Sequence, residues 1–368
     1  MNTLKNKIRK KILDIGFDSV GFTKPIIDLK TSRKFKEFLN KNHHGEMRWL
    51  ERHYEKKRNP KKIWEDVKTV IVVGLNYAPT NNPLRVNNLK EKANISVYAK
   101  NKDYHIVIKN KLKEFKDWFN EEFKLDCKIF VDTAPVMEKY FAKKTGVGWQ
   151  GKHTNIVSKK FGSWLFLSEI FLSIDIDGDK PSKDNCGSCD DCLKICPTNA
   201  LYEESKIDAR KCISYLTIEY KGPIPIGLRE KIGNKVYGCD DCLSVCPWNK
   251  FSEPTKNKNF LALEKEKDLK FFLDFDEKIF KKYFFQSPIL RIGWISFIRN
   301  ILIASGNSKI QNLSPSIKKY LTHKEPLVRG TAVWSINRLH NFKHTKLFQK
   351  LKTIEKNEYV KFELNYLD

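Results

Sequence analysis

Methionine is scarce, at three residues in 368, and nowhere is there the unbroken apolar run of about 20 residues that a membrane-spanning helix needs. The most apolar stretch, residues 164–176, is interrupted by Ser168 and Glu169. The Lys-rich N-terminus lacks the apolar segment and small-residue cleavage site of a signal peptide. A soluble, cytoplasmic protein is therefore expected. Acidic residues are also in short supply: 44 Asp plus Glu against 69 Lys plus Arg leave a formal charge of +25. Such a surplus attracts polyanions, although a Lys-biased composition that decorates every surface would produce it too. No Gly-x-Gly-x-x-Gly loop is present for a dinucleotide, no Asp-x-His-x-x-Gly loop to place a histidine on cobalamin, and no independent C-x3-C-x2-C radical triad.

With 40% hydrophobic and 12% aromatic residues, the chain is globular and long enough for two or three compact units. Residues 1–180 alternate helical and strand patterns and predict an α/β domain. Leu4, Ile8, Ile12 and Ile15 share a helix face, Thr69 to Asn76 is a strand, and Ile108, Leu112, Phe115, Phe119 and Phe123 recur at helical spacing. A hairpin turning near Gly162 is expected to join residues 155–158 to residues 163–172. Residues 181–254 change character, with cysteines, prolines and acidic pairs replacing regular periodicity. Residues 255–368 are helical again, and the string Arg299 to Ser305 is echoed by Arg329 to Ser335, as paired helices of a HEAT-like repeat would be.

Nine cysteines are present, and a reducing compartment makes them ligands or free thiols in preference to disulfides. Cys186, Cys189, Cys192 and Cys196 followed by Pro197 form C-x2-C-x2-C-x3-C-P, the run by which a ferredoxin loop gives three thiolates to one 4Fe-4S cluster and the fourth to its neighbour. The string Cys-Asp-Asp-Cys-Leu-x-x-Cys-Pro-x-Asn begins at Cys189 and again at Cys239, so the loop is duplicated. The second copy has Val236 where a further cysteine would stand, and Cys212 is free to replace it. By the crossover rule Cys186, Cys189, Cys192 and Cys246 hold one cluster, and Cys196, Cys212, Cys239 and Cys242 the other. Zinc also takes four thiolates, but characteristically from two separated C-x2-C pairs. Cys127 is left over as a buried bystander.

Two clusters form a wire, and about 180 residues ahead of them suggest that it feeds a second redox centre. The string from Cys212 through Pro225 and on to Lys250 closely resembles epoxyqueuosine reductase. So do Lys57-Arg58-Asn59-Pro60, Lys102-Asp103-Tyr104-His105, Val131 to Pro135, Gly146 to Trp149 and Leu327 to Gly330. The resemblance implies a cytoplasmic enzyme, here a monomer served by an external electron donor, that binds cobalamin without a protein imidazole on cobalt. It would reduce the epoxide of epoxyqueuosine in a tRNA anticodon to queuosine, taking two electrons and two protons. It places the general acid at Asp132, the alternative being a carboxylate that caps the helix starting near Pro135. It places cobalamin contacts at Arg58, Ser96, Asp132, Ile156, Leu167, Ser214 and Asp240. Its tRNA contacts would be Lys221, Arg291, Arg299 and Arg329, unless these are solvated cations or salt-bridge partners. A reductive dehalogenase and a non-catalytic iron-sulfur carrier are the competing readings.

Overall fold

The computed structural model describes residues 2–261, 266–340 and 342–366. Residues 1 and 368, the outer limits of the first and last expected segments, lie outside these. The chain divides into two compact units drawn from interleaved stretches: residues 1–81, 101–210 and 241–261, and residues 82–100, 211–240 and 262–368. The cysteine-rich stretch is apportioned between them, with residues 211–240 in the second unit.

The first unit is built on a four-stranded sheet. Helix α1 (Asn2–Asp14) is followed by strand β1 (Ser19–Thr23), helix α2 (Tyr54–Arg58), strand β2 (Thr69–Asn76), helix α3 (Tyr104–Phe123), strand β3 (Cys127–Phe130), helix α4 (Glu138–Lys144) and strand β4 (Leu165–Leu172). The strand order is β1-β2-β4-β3, and every pairing is antiparallel. The helices are therefore not crossovers between parallel neighbours, although helix and strand alternate along the chain as expected. β2 carries the run Val70-Ile71-Val72-Val73 and is buried along its whole length, as a strand covered on both faces must be. α3 buries Ile108, Leu112, Phe115 and Phe119 on one stripe, starts where Asp103 accepts the amide of His105, and stops at Lys124 with a left-handed φ of 54°.

The expected hairpin at Gly162 does not form as a ladder. Residues Ile156–Val157 pair with Trp149–Gln150, and only an isolated bridge joins Ser158 to Gly162. Apart from Ser168 and Glu169, β4 is apolar on both faces, and it pairs with β2 on one side and β3 on the other. At Gly162, with φ 55°, a Cβ would sit 2.4 Å from Oδ1 of Asn249, so a side chain is excluded where the second cysteine loop packs. Oδ1 of Asn249 also accepts the amide of Ser163 at 3.0 Å.

In the second unit, helix α5 (Ile213–Ile218), helix α6 (Ile226–Ile232) and the strand Lys235–Tyr237 precede helix α7 (Gly293–Ser308), helix α8 (Pro326–Leu339) and helix α9 (Glu358–Asn365). The segment Pro288–Ser308 is long and apolar enough to cross a membrane by composition, contrary to the expectation that no stretch is, but 78% of its most apolar 18-residue window is buried in the core. The two echoed strings lie on α7 and α8, which pack against one another. At Gly306 a Cβ would meet Ser335 Cα at 3.0 Å, and Ser335 Oγ donates to the carbonyl of Leu302 at 2.7 Å. Arg229 of α6 and Glu363 of α9 form a buried ion pair at 2.9 and 2.5 Å.

Candidate active site and cysteine loops

Asp132 lies just past β3, and its backbone takes a left-handed φ of 50°, a conformation that Asp and Asn tolerate better than most residues. The side chain does not cap the following helix. That helix begins at Glu138, with Met137 as a cap lacking a side-chain bond. Instead Oδ2 of Asp132 accepts from the hydroxyl of Tyr104 at 2.7 Å and lies 3.2 Å from Nε2 of His105. The other ring nitrogen of His105 is 3.1 Å from Oδ1 of Asp103. Tyr104 is stacked on Phe166 at 4.4 Å between ring centroids, and Phe166 on Tyr77 at 4.2 Å, so an aromatic column fixes the hydroxyl that reaches Asp132. The Asp132 side chain remains 53% exposed, which leaves it open to a substrate.

A group of buried and half-buried charges acts on it. The amide of Asp132 donates to Glu138 Oε1 at 2.9 Å. Burial, followed by the negative charge of Asp132, pushes the Glu138 carboxyl up to about 7. Glu169 on β4 is 0% exposed with neither carboxyl oxygen hydrogen-bonded, and burial raises its pKa well above the usual carboxylate range, helped by Glu138 and Asp132. Lys57 on α2 donates to the carbonyl of Val136 at 3.2 Å and is the cation facing all three acids. Burial lowers its pKa, and Glu138, Asp132 and Glu169 act in the opposite direction.

The remaining expected cofactor contacts distribute as follows. Arg58 is half-exposed, lies over the Tyr54 ring and 3.4 Å from Glu55, and lines a surface cleft of about 420 Å³ with Ile26, Asn59 and Lys62. Ile156 and Leu167 pack in one apolar cluster with Val72, Phe141 and Phe171. In the second unit, Ser96 donates to Asp240 Oδ1 at 2.6 Å while the amide of Val97 donates to Oδ2 at 2.8 Å, so these two buried residues are bound to each other. Ser214 is half-buried on the first turn of α5.

The cysteine loops fold alike. One-turn helices Asp191–Lys194 and Asp241–Ser244 occupy equivalent places in the duplicated string, and the amides of Asn199 and Asn249 bond back to the carbonyls of Cys196 and Cys246. Cys186, Cys189, Cys192 and Cys246 all belong to the first unit. Burial, then the neighbouring Cys186, Cys246 and Cys189, pushes the Cys192 thiol up to about 11. Among the described residues no three His, Cys, Asp or Glu side chains close onto a single ion. The indole of Trp149 donates to Sγ of Cys186 at 3.3 Å, a bond that suits an electron-rich cluster sulfur, and the indole of Trp248 ties the loops together through the carbonyl of Asn185 at 3.2 Å. Of the other four, Cys196 accepts from the amide of Ala200 at 3.3 Å, and Cys212 is the N-cap residue of α5.

Two of the expected tRNA contacts need correction. Arg299 is 0% exposed. Its guanidinium donates to the carbonyls of Leu216, Tyr220 and Gly222 and to Asn300 Oδ1 at 2.7–3.1 Å, so it closes the ends of backbone segments in the core and cannot meet a phosphate. Arg329 chelates Glu355 with two bonds of 2.9 Å and reaches the carbonyls of His323 and Lys324, which occupies its donors. Lys221 and Arg291 are exposed. Sequence reasoning had assigned no role to Tyr104, His105, Lys57, Glu138 or Glu169. The first three stand in strings already quoted, and Glu169 is the carboxyl that interrupts the most apolar stretch.

These features define a class, an iron-sulfur oxidoreductase with an acid site supplied by its own sheet domain. Residues 185–249 match the model of a 4Fe-4S double cluster binding domain, and residues 57–133 match that of epoxyqueuosine reductase QueG, DUF1730. The chain is 38% identical over 331 residues to the epoxyqueuosine reductase of Vibrio cholerae, covering 88% of this chain and 89% of that one. It is 37% identical over 342 residues to that of Escherichia coli K12, covering 91% and 89%. A crystal structure of epoxyqueuosine reductase with an epoxyqueuosine-modified tRNA-Tyr stem loop superposes over 100% of this chain and 98% of that one, with a TM-score of 0.91 at 27% identity. The chain belongs to the epoxyqueuosine reductase family, which sets aside the dehalogenase and carrier readings.

Proposed function

We propose that the chain carries out its family's reaction, the reduction of epoxyqueuosine to queuosine in tRNA, at the wobble nucleoside of the anticodon, with Asp132 as proton donor and cobalamin as the redox centre. The observation that carries this reading is the placement of Asp132: half-exposed, held by Tyr104 and His105, and backed by buried acids. An epoxide oxygen leaves only when protonated, and a carboxyl held by hydrogen bonds and open to the substrate is placed to supply that proton.

Residues of the first unit support the cobalamin reading. Ile156 and Leu167 belong to an apolar face beside Asp132, and the Arg58 side chain lines a cleft open to solvent. When bound, cobalamin would supply the redox chemistry at carbon for which no side chain is suited. Around it, Asp132 gives up its proton, Tyr104 and His105 hold the carboxyl in place, and the apolar cluster keeps water from that side. Ser96, Ser214 and Asp240 remain cobalamin contacts that the family resemblance implies. The two clusters would be held by Cys186, Cys189, Cys192 and Cys246, and by Cys196, Cys212, Cys239 and Cys242. Residues 1–180, 181–254 and 255–368 would serve as cobalamin-binding, electron-transferring and HEAT-like tRNA-binding segments. Lys221 and Arg291 remain the candidate phosphate contacts. A cytoplasmic location suits the reduced thiols, and the enzyme would act as a monomer served by an external electron donor.

The test is anaerobic purification with both clusters, addition of cobalamin and a chemical reductant, and incubation with an anticodon stem-loop carrying epoxyqueuosine. Nucleoside analysis should show queuosine. Retention of no corrinoid together with unchanged epoxyqueuosine would overturn the reading.

A further inference from the structure

Reduction of an epoxide to an alkene takes two protons, one as each carbon–oxygen bond breaks, and Asp132 holds only one at a time. Glu169 is the residue whose place in the fold answers this shortfall. Along β4 the side chains of Leu165, Leu167, Glu169 and Phe171 fall on one face, and the other three belong to the apolar cluster of the first unit. The register partners of Glu169, Val72 on β2 and Phe130 on β3, belong to it as well. Glu169 is thus a carboxyl set into an apolar stripe, fully buried, with both oxygens lacking a hydrogen bond. A leucine there would fill the stripe without an unpaired polar group, so the carboxyl lowers stability and calls for a chemical explanation.

Among the described residues, Glu138, Asp132 and Lys57 are the charges that act on it. α2 brings Lys57, α4 brings Glu138 with Lys139 beside it, the turn after β3 brings Asp132, and α3 brings His105 to the far side of Asp132. On this face β2 presents the apolar Val70 and Val72.

We propose that Glu169 is the proton reserve of this site: as a neutral acid behind Asp132 it returns a proton to the Asp132 carboxylate after the first transfer, and Lys57 holds the charge left behind. The O–H bond of Glu169 breaks, an O–H bond forms on Asp132, and solvent restores Glu169 between turnovers. The two electrons are those of the family's reaction. Glu169 acts through Asp132 and is a positioning residue, so the inference rests on the reading of Asp132 as the acid.

Two variants and three readouts test it. Infrared difference spectra of the wild-type protein at neutral pH should contain a buried carboxylic acid C=O band that shifts in D2O and is missing from Glu169→Gln. Glu169→Gln should turn over about tenfold more slowly, with an unchanged Kd for the stem-loop and a deficit that grows as pH rises and solvent protons become scarce. Glu169→Leu should melt at a higher temperature than wild type and lose turnover to the same degree, whereas a purely structural carboxyl would give higher melting with turnover retained. Absence of the band at neutral pH, or wild-type turnover in either variant at every pH tested, overturns the proposal. The wild-type rate tests the functional reading, and the difference between wild type and variants tests Glu169.

Discussion

Asp132→Asn separates proton donation from everything else this residue does. The left-handed φ of 50° is one that asparagine adopts readily, and the amide oxygen can still accept from Tyr104, now 2.7 Å from Oδ2. The backbone bond to Glu138 at 2.9 Å does not involve the side chain. With the side chain 53% exposed, the change in folding stability should stay within about 0.5 kcal/mol. What disappears is the transferable proton. General acid catalysis contributes roughly 10²–10⁴-fold, which at about 1.36 kcal/mol per decade corresponds to about 2.7–5.4 kcal/mol of barrier. The assay is a single turnover with pre-reduced protein and an epoxyqueuosine stem-loop in excess, quenched in acid and read by nucleoside analysis, with stem-loop affinity and urea unfolding measured in parallel. Tyr104→Phe provides the scale for a lost hydrogen bond, at about 1 kcal/mol or roughly fivefold. If Asp132→Asn slows conversion no more than Tyr104→Phe does, or if its loss follows a fall in affinity or stability, Asp132 is not the acid.

Arg299→Ala should destabilise the protein by at least about 3 kcal/mol in urea unfolding, since three buried carbonyls lose their donor at roughly 1–3 kcal/mol each. Arg291→Ala should lower the slope of stem-loop affinity against salt by about one. Asp179 should govern part of the acid limb. Burial alone would raise its pKa, but bonds from Lys5, Arg9 and the Phe22 amide outweigh burial and hold it below the ordinary 3.8. Its stabilising contribution is therefore complete above 3.8 and fades as pH falls through the lower folded-state value, so Asp179→Asn should show a shallower acid transition and lower stability at neutral pH. Burial pushes the Cys127 thiol up to about 12. Iodoacetamide at mild alkaline pH should therefore leave it unmodified in the native protein, while chelation of iron exposes the cluster cysteines to alkylation.

The most legible parts of the molecule were those that local spacing determines. β2 matched its expected limits because an apolar run such as Val70 to Val73 has few options other than a covered strand. The cysteine loops were legible because three thiolates on one cluster demand a fixed spacing. Strand partners were not. Residues 163–172 carry no mark saying that they pair with β2 and β3 and not with residues 155–158, because burial on both faces is decided by what lies across the sheet. Charged residues were the least legible. Glu169 reads as a break in an apolar run, and only the register opposite Val72 and Phe130 shows a carboxyl directed into the core.

The arginines show why the charge surplus does not point to particular tRNA contacts. Arg229, Arg299 and Arg329 are one residue type with three settings: a buried carboxylate, a set of neutral carbonyls, and a carboxylate at the edge of the helical unit. An ion pair takes one charge of each sign, so pairs such as Arg229–Glu363 and Arg329–Glu355 leave the +25 surplus untouched. Arg299, held by uncharged groups, is a cation withdrawn into the core. Nearly all of the surplus must then lie on surface side chains, spread over many positions, each contributing a modest, salt-sensitive share of affinity. Attraction of that kind gathers tRNA without selecting among tRNAs. On the proposed reading, selection comes from the site around Asp132, where a base must be exposed from its loop before its epoxide can reach the proton donor. Losing one surface lysine should therefore weaken every tRNA alike, whereas Asp132→Asn should slow the reaction in a tRNA that is still bound.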